Sequence, residues 1–304
     1  MNLLTIKTFL ITSLALIAFA GNSILCRLAL GEQHADAAGF TLVRLVSATL
    51  VLSILLLMTK LFASKSSLTE TKPIKAAEAK GSWLASLMLF LYAVTFSYAY
   101  LLLDTGTGAL ILFGAVQLTM ITASYLSGKK LNLHEWLGVV VSFSGLTYLV
   151  IPSVATPNFL AFVLMLISGI AWGIYTLKGK NSVNPLSDTS YNFIRTFPLV
   201  VILALISFKQ IEMDTLGLVY AVTSGAIASG LGYAIWYLAI KNISITQAGV
   251  LQLLVPILAT LGGVTFASEQ LTTRLIIASV LVLGGIVLVI AAGKLKSRTK
   301  PVTS

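Results

Sequence analysis

The chain has 304 residues, of which 57% are hydrophobic and only 10% charged, with a net charge of +10. An ordinary soluble domain carries about 25% charged residues, so a water-soluble fold is excluded and apolar runs of about 20 residues read as bilayer-crossing helices with their backbone groups satisfied internally. The basic excess comes without the aromatic-basic patterning of a nucleic-acid binder, and the lone Cys26 can form no internal disulfide.

In chain order, the first run imitates a signal peptide, with Lys7 and a cleavage-like Ala18-Phe19-Ala20. Its apolar stretch from Thr8 to Cys26 is nevertheless long enough to span, so helices are expected over approximately 7–28 and 38–59. The segment 65–81 reads as a polar loop without an active role. Helices over 83–103 and 106–127 form a hairpin divided at Asp104, Gly106 and Gly108. Further helices are expected over 133–151, 158–178, 188–208, 216–240, 246–266 and 273–292. The fold class is therefore an all-α integral membrane protein of ten transmembrane helices.

With both termini placed in the cytoplasm, inside positions collect fifteen of the twenty Lys and Arg residues, among them Lys60, Lys72, Lys80, Lys129, Lys130, Lys178, Lys241 and Lys296. Outside positions take Glu32, Asp36, Asp104, Glu212, Asp214 and Glu269. The positive-inside rule selects this orientation, and anionic cytoplasmic lipid accounts for the lysines bordering the spans.

A shift of 140 residues lays 106–131 on 246–271 and Gly145 on Gly285. A shift of 151 lays Arg44 on Arg195. The copies, 1–152 and 153–292 followed by a basic tail 293–304, each hold five spans, so the second enters the membrane inverted. That explains why the break "SGKKL" is basic and its counterpart "ASEQL" acidic. Inverted repeats are a common construction of secondary transporters, with a site near the midplane and access alternating between the faces.

The stretch 229–289 resembles the repeat unit of EamA-type proteins of the drug/metabolite transporter superfamily. The resemblance is carried by Pro256 within an apolar helix, by the small residue before Glu269, and by Gly284-Gly285. In the first copy the proline position is Val116 and the acid position Lys129. The resemblance implies a ten-helix carrier, largely of bacterial inner membranes and frequently an exporter of metabolites or amino acids. The alternatives are a multidrug or other efflux carrier and a non-transporting membrane scaffold. A small-molecule substrate and the lipid bilayer are the partners implied.

Candidate substrate contacts follow from polarity at depth. Pro256 removes a helical hydrogen bond and frees the carbonyl of Gln252, making either a substrate-contacting kink or a packing kink. Gln117 lies on a comparable stripe with Phe113, Met120 and Ser124. Aromatic residues gather as Tyr92, Phe96 and Tyr100 with Tyr98 beside them, then Trp172 and Tyr175, then Tyr233, Trp236 and Tyr237. Of these, Tyr98, Trp172, Tyr175, Tyr233 and Trp236 are the expected contacts, weighed against interfacial anchoring. Arg44 and Arg195 sit about 10 Å inside their helix starts, placed to hold a substrate carboxylate, to bind helix-end carbonyls or to snorkel. Asn22 either lines a cavity or bonds a neighbouring helix. Spans lack central carboxylates, and there is no HExxH sequence and no midspan Ser/His pair, so the reading is of a protein without catalysis, cofactor or metal.

Overall fold

The computed structural model describes residues 3–66, 80–128, 133–150, 157–179, 182–240 and 251–298. Lys72, Lys75, Lys129, Lys130, Lys180 and Lys241, the first five residues of the helix expected from 246, and the tail beyond residue 298 lie outside them. Among the described residues the regular structure is helical throughout: α1 (Leu3–Gly31), α2 (Ala37–Ser66), α3 (Trp83–Tyr100), α4 (Thr105–Leu126), α5 (Leu133–Val150), α6 (Phe159–Gly179), α7 (Pro185–Arg195), α8 (Phe197–Ser207), α9 (Thr215–Thr223), a π-helical segment (Ser224–Leu231), α10 (Gly232–Ile240), α11 (Leu254–Phe266) and α12 (Thr273–Arg298).

Among the described residues seven stretches are long and apolar enough to cross a membrane: those of α1, α2, α3, α4 and α6, Pro185–Ser207 across α7 and α8, and Thr215–Trp236 through the π segment. The surface carries large apolar side chains in the open, such as Leu205, Ile206 and Val280 at 73%, 76% and 67% exposure. Water would penalise such a belt and lipid does not.

Three expected helices are interrupted. The run 188–208 breaks at Thr196, because Pro198 stands two residues beyond and cannot continue the hydrogen-bond ladder. Asn184 accepts from the Ser187 amide and Pro185 occupies the first turn, which fixes where α7 begins. The run 216–240 changes pitch through "SGAIASGL", where small side chains tolerate the wider π turn. The third, expected over 246–266, is interrupted at Leu253. Pro256 therefore lies in the first turn of α11 rather than mid-helix, where its missing N–H costs nothing.

The interhelical contacts exchange between the two halves of the chain. α5 packs along α12, α4 against α11, and α2 against α7. α1 touches α10 and α11, while α6 touches α3 and α4. Close approach depends on small residues: at Gly138 of α5 a side chain would strike the Gly285 carbonyl of α12 at 2.5 Å, and Ser142 donates to the Val282 carbonyl at 3.1 Å.

Turns tie the bundle at two ends. At one, the α1–α2 turn pairs with the α8–α9 turn through Asp36 N–H to Glu212 C=O (2.9 Å), Asp214 N–H to His34 C=O (3.0 Å) and His34 Nδ1 with Asp214 Oδ2 (2.7 Å). Glu269, in the α11–α12 turn, accepts from the Thr105 amide (2.8 Å), the Thr105 hydroxyl (2.9 Å) and Arg27 Nε (3.3 Å). Asp104, the N-cap residue of α4, makes no side-chain cap bond, so Glu269 caps that helix from the other half of the sequence. Burial pushes the Glu269 carboxyl above the usual range, while the Thr105 donors and Arg27 hold it down. At the other end, the segment before α3 is held by α7: Gly81 N–H donates to Asp188 Oδ1 (2.7 Å), Ser82 N–H to Asn192 Oδ1 (2.8 Å), and Arg195 to the Lys80 carbonyl.

Candidate functional site

Inside the bundle, α1, α3, α4, α6 and α10 surround a small cavity lined by Phe19, Asn22, Tyr92, Phe113, Trp172 and Tyr233, among others. The space left between them holds about one water-sized sphere. Its walls are aromatic and interlocked: Trp172 lies 4.9 Å from Tyr92 and 4.7 Å from Tyr233 between ring centroids, and Phe19 meets Trp172, Tyr233 and Trp236 edge-on at 6.0, 5.9 and 5.5 Å. Tyr175 stacks behind Trp172 at 5.4 Å.

Polar groups of this wall meet at one point. Arg44 of α2 donates from Nη2 to the Tyr92 hydroxyl (3.0 Å) and, less closely, to that of Tyr233 (3.5 Å), and from Nε to Ser229 (3.1 Å). Its guanidinium lies 4.9 Å from the Phe96 ring centroid and 5.2 Å from that of Tyr92. Asn22 donates to the Tyr92 hydroxyl at 3.2 Å and accepts from Ser224 at 2.6 Å. Ser224 and Ser229 both belong to the π segment, whose Gly225 lies so close to α2 that a Cβ there would collide with the Arg44 carbonyl and the Ser47 hydroxyl. The stretch of small residues thus brings two hydroxyls to Arg44 and Asn22.

Of the residues expected at a site, Asn22, Arg44, Trp172, Tyr175, Tyr233 and Trp236 are brought together. Tyr98, Gln117, Gln252 and Pro256 do not line this cavity. Tyr98 is half-buried on the flank of α3, and Gln117 is buried one turn beyond Phe113. Pro256 and Thr260 line an apolar groove between α11 and α12, with Thr260 donating to the Pro256 carbonyl at 2.8 Å. Gln252 is buried just before α11. Arg195 lies apart, over the Trp83 ring at 5.5 Å. Sequence reasoning noted Phe19 only in the cleavage-like Ala18-Phe19-Ala20, passed over Ser224 and Ser229, and noted Tyr92 only as one member of an aromatic stripe. The spacing of Tyr92, Phe96 and Tyr100 was the available signal for that face of α3. Among the described residues no group of three His, Cys, Asp or Glu side chains could hold a metal ion.

A helical bundle with seven membrane-length apolar stretches, a lipid-compatible surface and an enclosed polar-aromatic cavity is a multi-pass membrane protein. The family model of EamA-like transporters matches residues 159–291, and the chain belongs to that family of membrane transporters within the drug/metabolite transporter superfamily. An uncharacterized protein of Pseudomonas aeruginosa is 44% identical over 285 residues, covering 94% of this chain and 95% of its own. An uncharacterized transporter of Archaeoglobus fulgidus is 26% identical over 203 residues, covering 66% of this chain and 72% of its own. A protein of known crystal structure matches 95% of this chain and 99% of its own with a TM-score of 0.58 and 16% identity, a likeness of fold alone.

Proposed function

We propose that the protein is a secondary carrier, exporting small amphipathic metabolites by alternating access between two inverted five-helix halves, residues 1–152 and 153–292. The observation that carries this reading is the composition of the cavity: Asn22, Tyr92 and Phe113 come from the first half, Trp172 and Tyr233 from the second, and both ends above and below it are tied by contacts between the halves. Rocking one half against the other would break one set of end contacts while keeping the other, as alternating access requires. The exchange of helix contacts between the halves supports the inversion. The direction of export follows what the family implies.

In this reading the protein lies in the inner membrane with both termini and the basic tail in the cytoplasm, because the lysines concentrate at the end where α2 leaves and α3 enters. Cysteines placed at Glu32 and Lys72 on a Cys26→Ser background test this. An impermeant thiol reagent on intact cells should label the first and not the second, and the reverse pattern would overturn the orientation. Counterflow in proteoliposomes tests the carrier. A preloaded solute should drive saturable exchange, whereas conductance without saturation would indicate a pore and no movement of any candidate metabolite a scaffold.

A further inference from the structure

Around Tyr92 hydrogen-bonding groups converge. N–H donors from Arg44 (3.0 Å) and Asn22 (3.2 Å) meet one phenolic oxygen, and the Tyr233 hydroxyl lies 3.4 Å from it. That oxygen has two lone pairs and a hydrogen of its own, so the two N–H donors fill its acceptor capacity and its hydrogen is left to the Tyr233 oxygen. On its other side the Asn22 amide is held by the Ser224 hydroxyl at 2.6 Å. A carboxylate in place of this phenol would offer the same groups more lone pairs and a negative charge.

Arg44 supplies an independent observation. Its side chain is 1% exposed, its Nη1 has no hydrogen-bond partner, and among the described residues no carboxylate stands within ion-pair reach of it. A buried guanidinium inside a span is costly unless compensated. One water could satisfy Nη1, but it would leave the charge standing. The aromatic rings above the guanidinium offset only part of it.

We propose that Arg44, Asn22 and Tyr233 form a carboxylate subsite, plugged in this closed conformation by the Tyr92 hydroxyl, and that the substrates are organic monocarboxylates whose apolar body lies against Phe19, Phe113 and Trp172. The proposal rests on the carrier reading and narrows it. The substrate carboxylate displaces the Tyr92 hydroxyl, accepts from the three donors and supplies the missing counter-charge. No acid lines the cavity to receive an ammonium group, and Arg44 repels one. A carboxylate without an amine is therefore preferred to the corresponding amino acid, and an amine without a carboxylate is rejected.

A matched set of probes tests this on the full-length protein in proteoliposomes: 3-phenylpropionate, its neutral amide, L-phenylalanine and phenethylamine, with the aliphatic counterpart of each. The carboxylates should give the lowest half-saturating concentrations and phenethylamine no saturable exchange. Arg44→Gln should raise the half-saturating concentration of 3-phenylpropionate at least tenfold and abolish its advantage over the amide. Tyr233→Phe, which removes only a hydroxyl and keeps the ring packing, should raise it about fivefold, guarding against an Arg44 variant that fails to fold. Tyr92→Phe should leave carboxylate affinity unchanged or tighter, because the plug loses its competing oxygen; a merely structural network would lose affinity instead. Preference for the amide or amine, or a carboxylate preference that survives both Arg44→Gln and Tyr233→Phe, overturns the subsite while leaving the carrier intact. If none of the eight solutes moves while another metabolite shows saturable counterflow, the subsite falls and the carrier stands; if no metabolite moves above empty liposomes, both fall.

Discussion

Asn22→Asp puts a carboxylate of nearly the same shape on the far side of the Tyr92 hydroxyl from Arg44. The two hydrogen bonds through that hydroxyl, 3.2 and 3.0 Å, hold the new charge within about 6 Å of the guanidinium. At an effective dielectric constant of about 20 their attraction is about 3 kcal/mol. A buried carboxylate without a partner costs about 3–5 kcal/mol, and the Ser224 hydroxyl remains in place to donate to it. Asn22→Asp should therefore lie within about 2 kcal/mol of the wild type when Arg44 is present and incur the full penalty in an Arg44→Met background. Equilibrium unfolding of the four proteins in mixed detergent gives the coupling directly. The same carboxylate fills the subsite from within, so exchange of 3-phenylpropionate should fall at least tenfold although the protein is folded. Losses that add to within about 0.5 kcal/mol would mean that Arg44 is already neutralised in the wild type, and the reasoning would fail.

Gly225→Ala should lower stability by about 1–2 kcal/mol: overpacking against the α2 backbone costs about 1–3 kcal/mol, and the gain in helix propensity returns at most about 1. Thermal unfolding checks it, and an unchanged midpoint would show that α2 and the π segment separate freely. At the His34–Asp214 contact, the Asp214 hydrogen bond holds the imidazole above its ordinary pKa of 6.5, while the Gly217 amide and His34 hold Asp214 below 3.8. The contribution of the charged pair is present below the unfolded His value and lost as pH rises through the raised one, so wild type should gain stability from pH 9 to pH 6 relative to His34→Gln. Parallel profiles would refute the assignment. Glu269→Ala removes the acceptor of two Thr105 donors and of Arg27 and should cost about 2–3 kcal/mol. Glu269→Gln, keeping one acceptor oxygen, should cost less in the same unfolding assay.

The long apolar runs made most helices legible, because composition alone decides whether a segment of that length can lie in lipid. The interruptions were not, for particular reasons. Pro198 sits in an apolar stretch that hides it, and Pro256 reads as a mid-helix kink only if the helix runs unbroken through Leu253. The small residues of the π segment were visible, but their change of pitch and the close packing of Gly225 on α2 are not written in local spacing. In α3 the aromatic stripe was visible, but the face that turns inward is fixed by contacts such as that between Thr41 and Ser97, 2.8 Å apart. Tyr92 and Phe96, one turn apart, both meet the Arg44 guanidinium, and Tyr98 is left on the flank. Phe19 escaped attention as a cavity residue because nothing in "LIAFAGNS" distinguishes it from a lipid-facing residue.

Arg44 and Arg195, equated by the 151-residue shift, show what pseudo-symmetry leaves undecided. Both guanidiniums lie over aromatic rings of the same helix, α3, Arg195 over Trp83 and Arg44 over Tyr92 and Phe96. Trp83 and Phe96 stand thirteen residues apart, which at about 1.5 Å per residue is about 20 Å along the axis. The two charges therefore sit at different depths. Arg195 has a carbonyl to bind and partial access to solvent, so its charge needs no substrate to compensate it. Arg44 has neither. A carrier with one uncompensated buried charge handles one anionic group at a time, and the two arginines should separate cleanly in kinetics. Arg195→Gln should change the half-saturating concentration of 3-phenylpropionate by less than about twofold while slowing exchange, since it loosens the tie between α7 and the segment before α3. Arg44→Gln should do the opposite, raising the half-saturating concentration before it limits the rate. Equal losses of affinity from the two substitutions would mean that both arginines meet the substrate, and the asymmetry argued from α3 would be wrong.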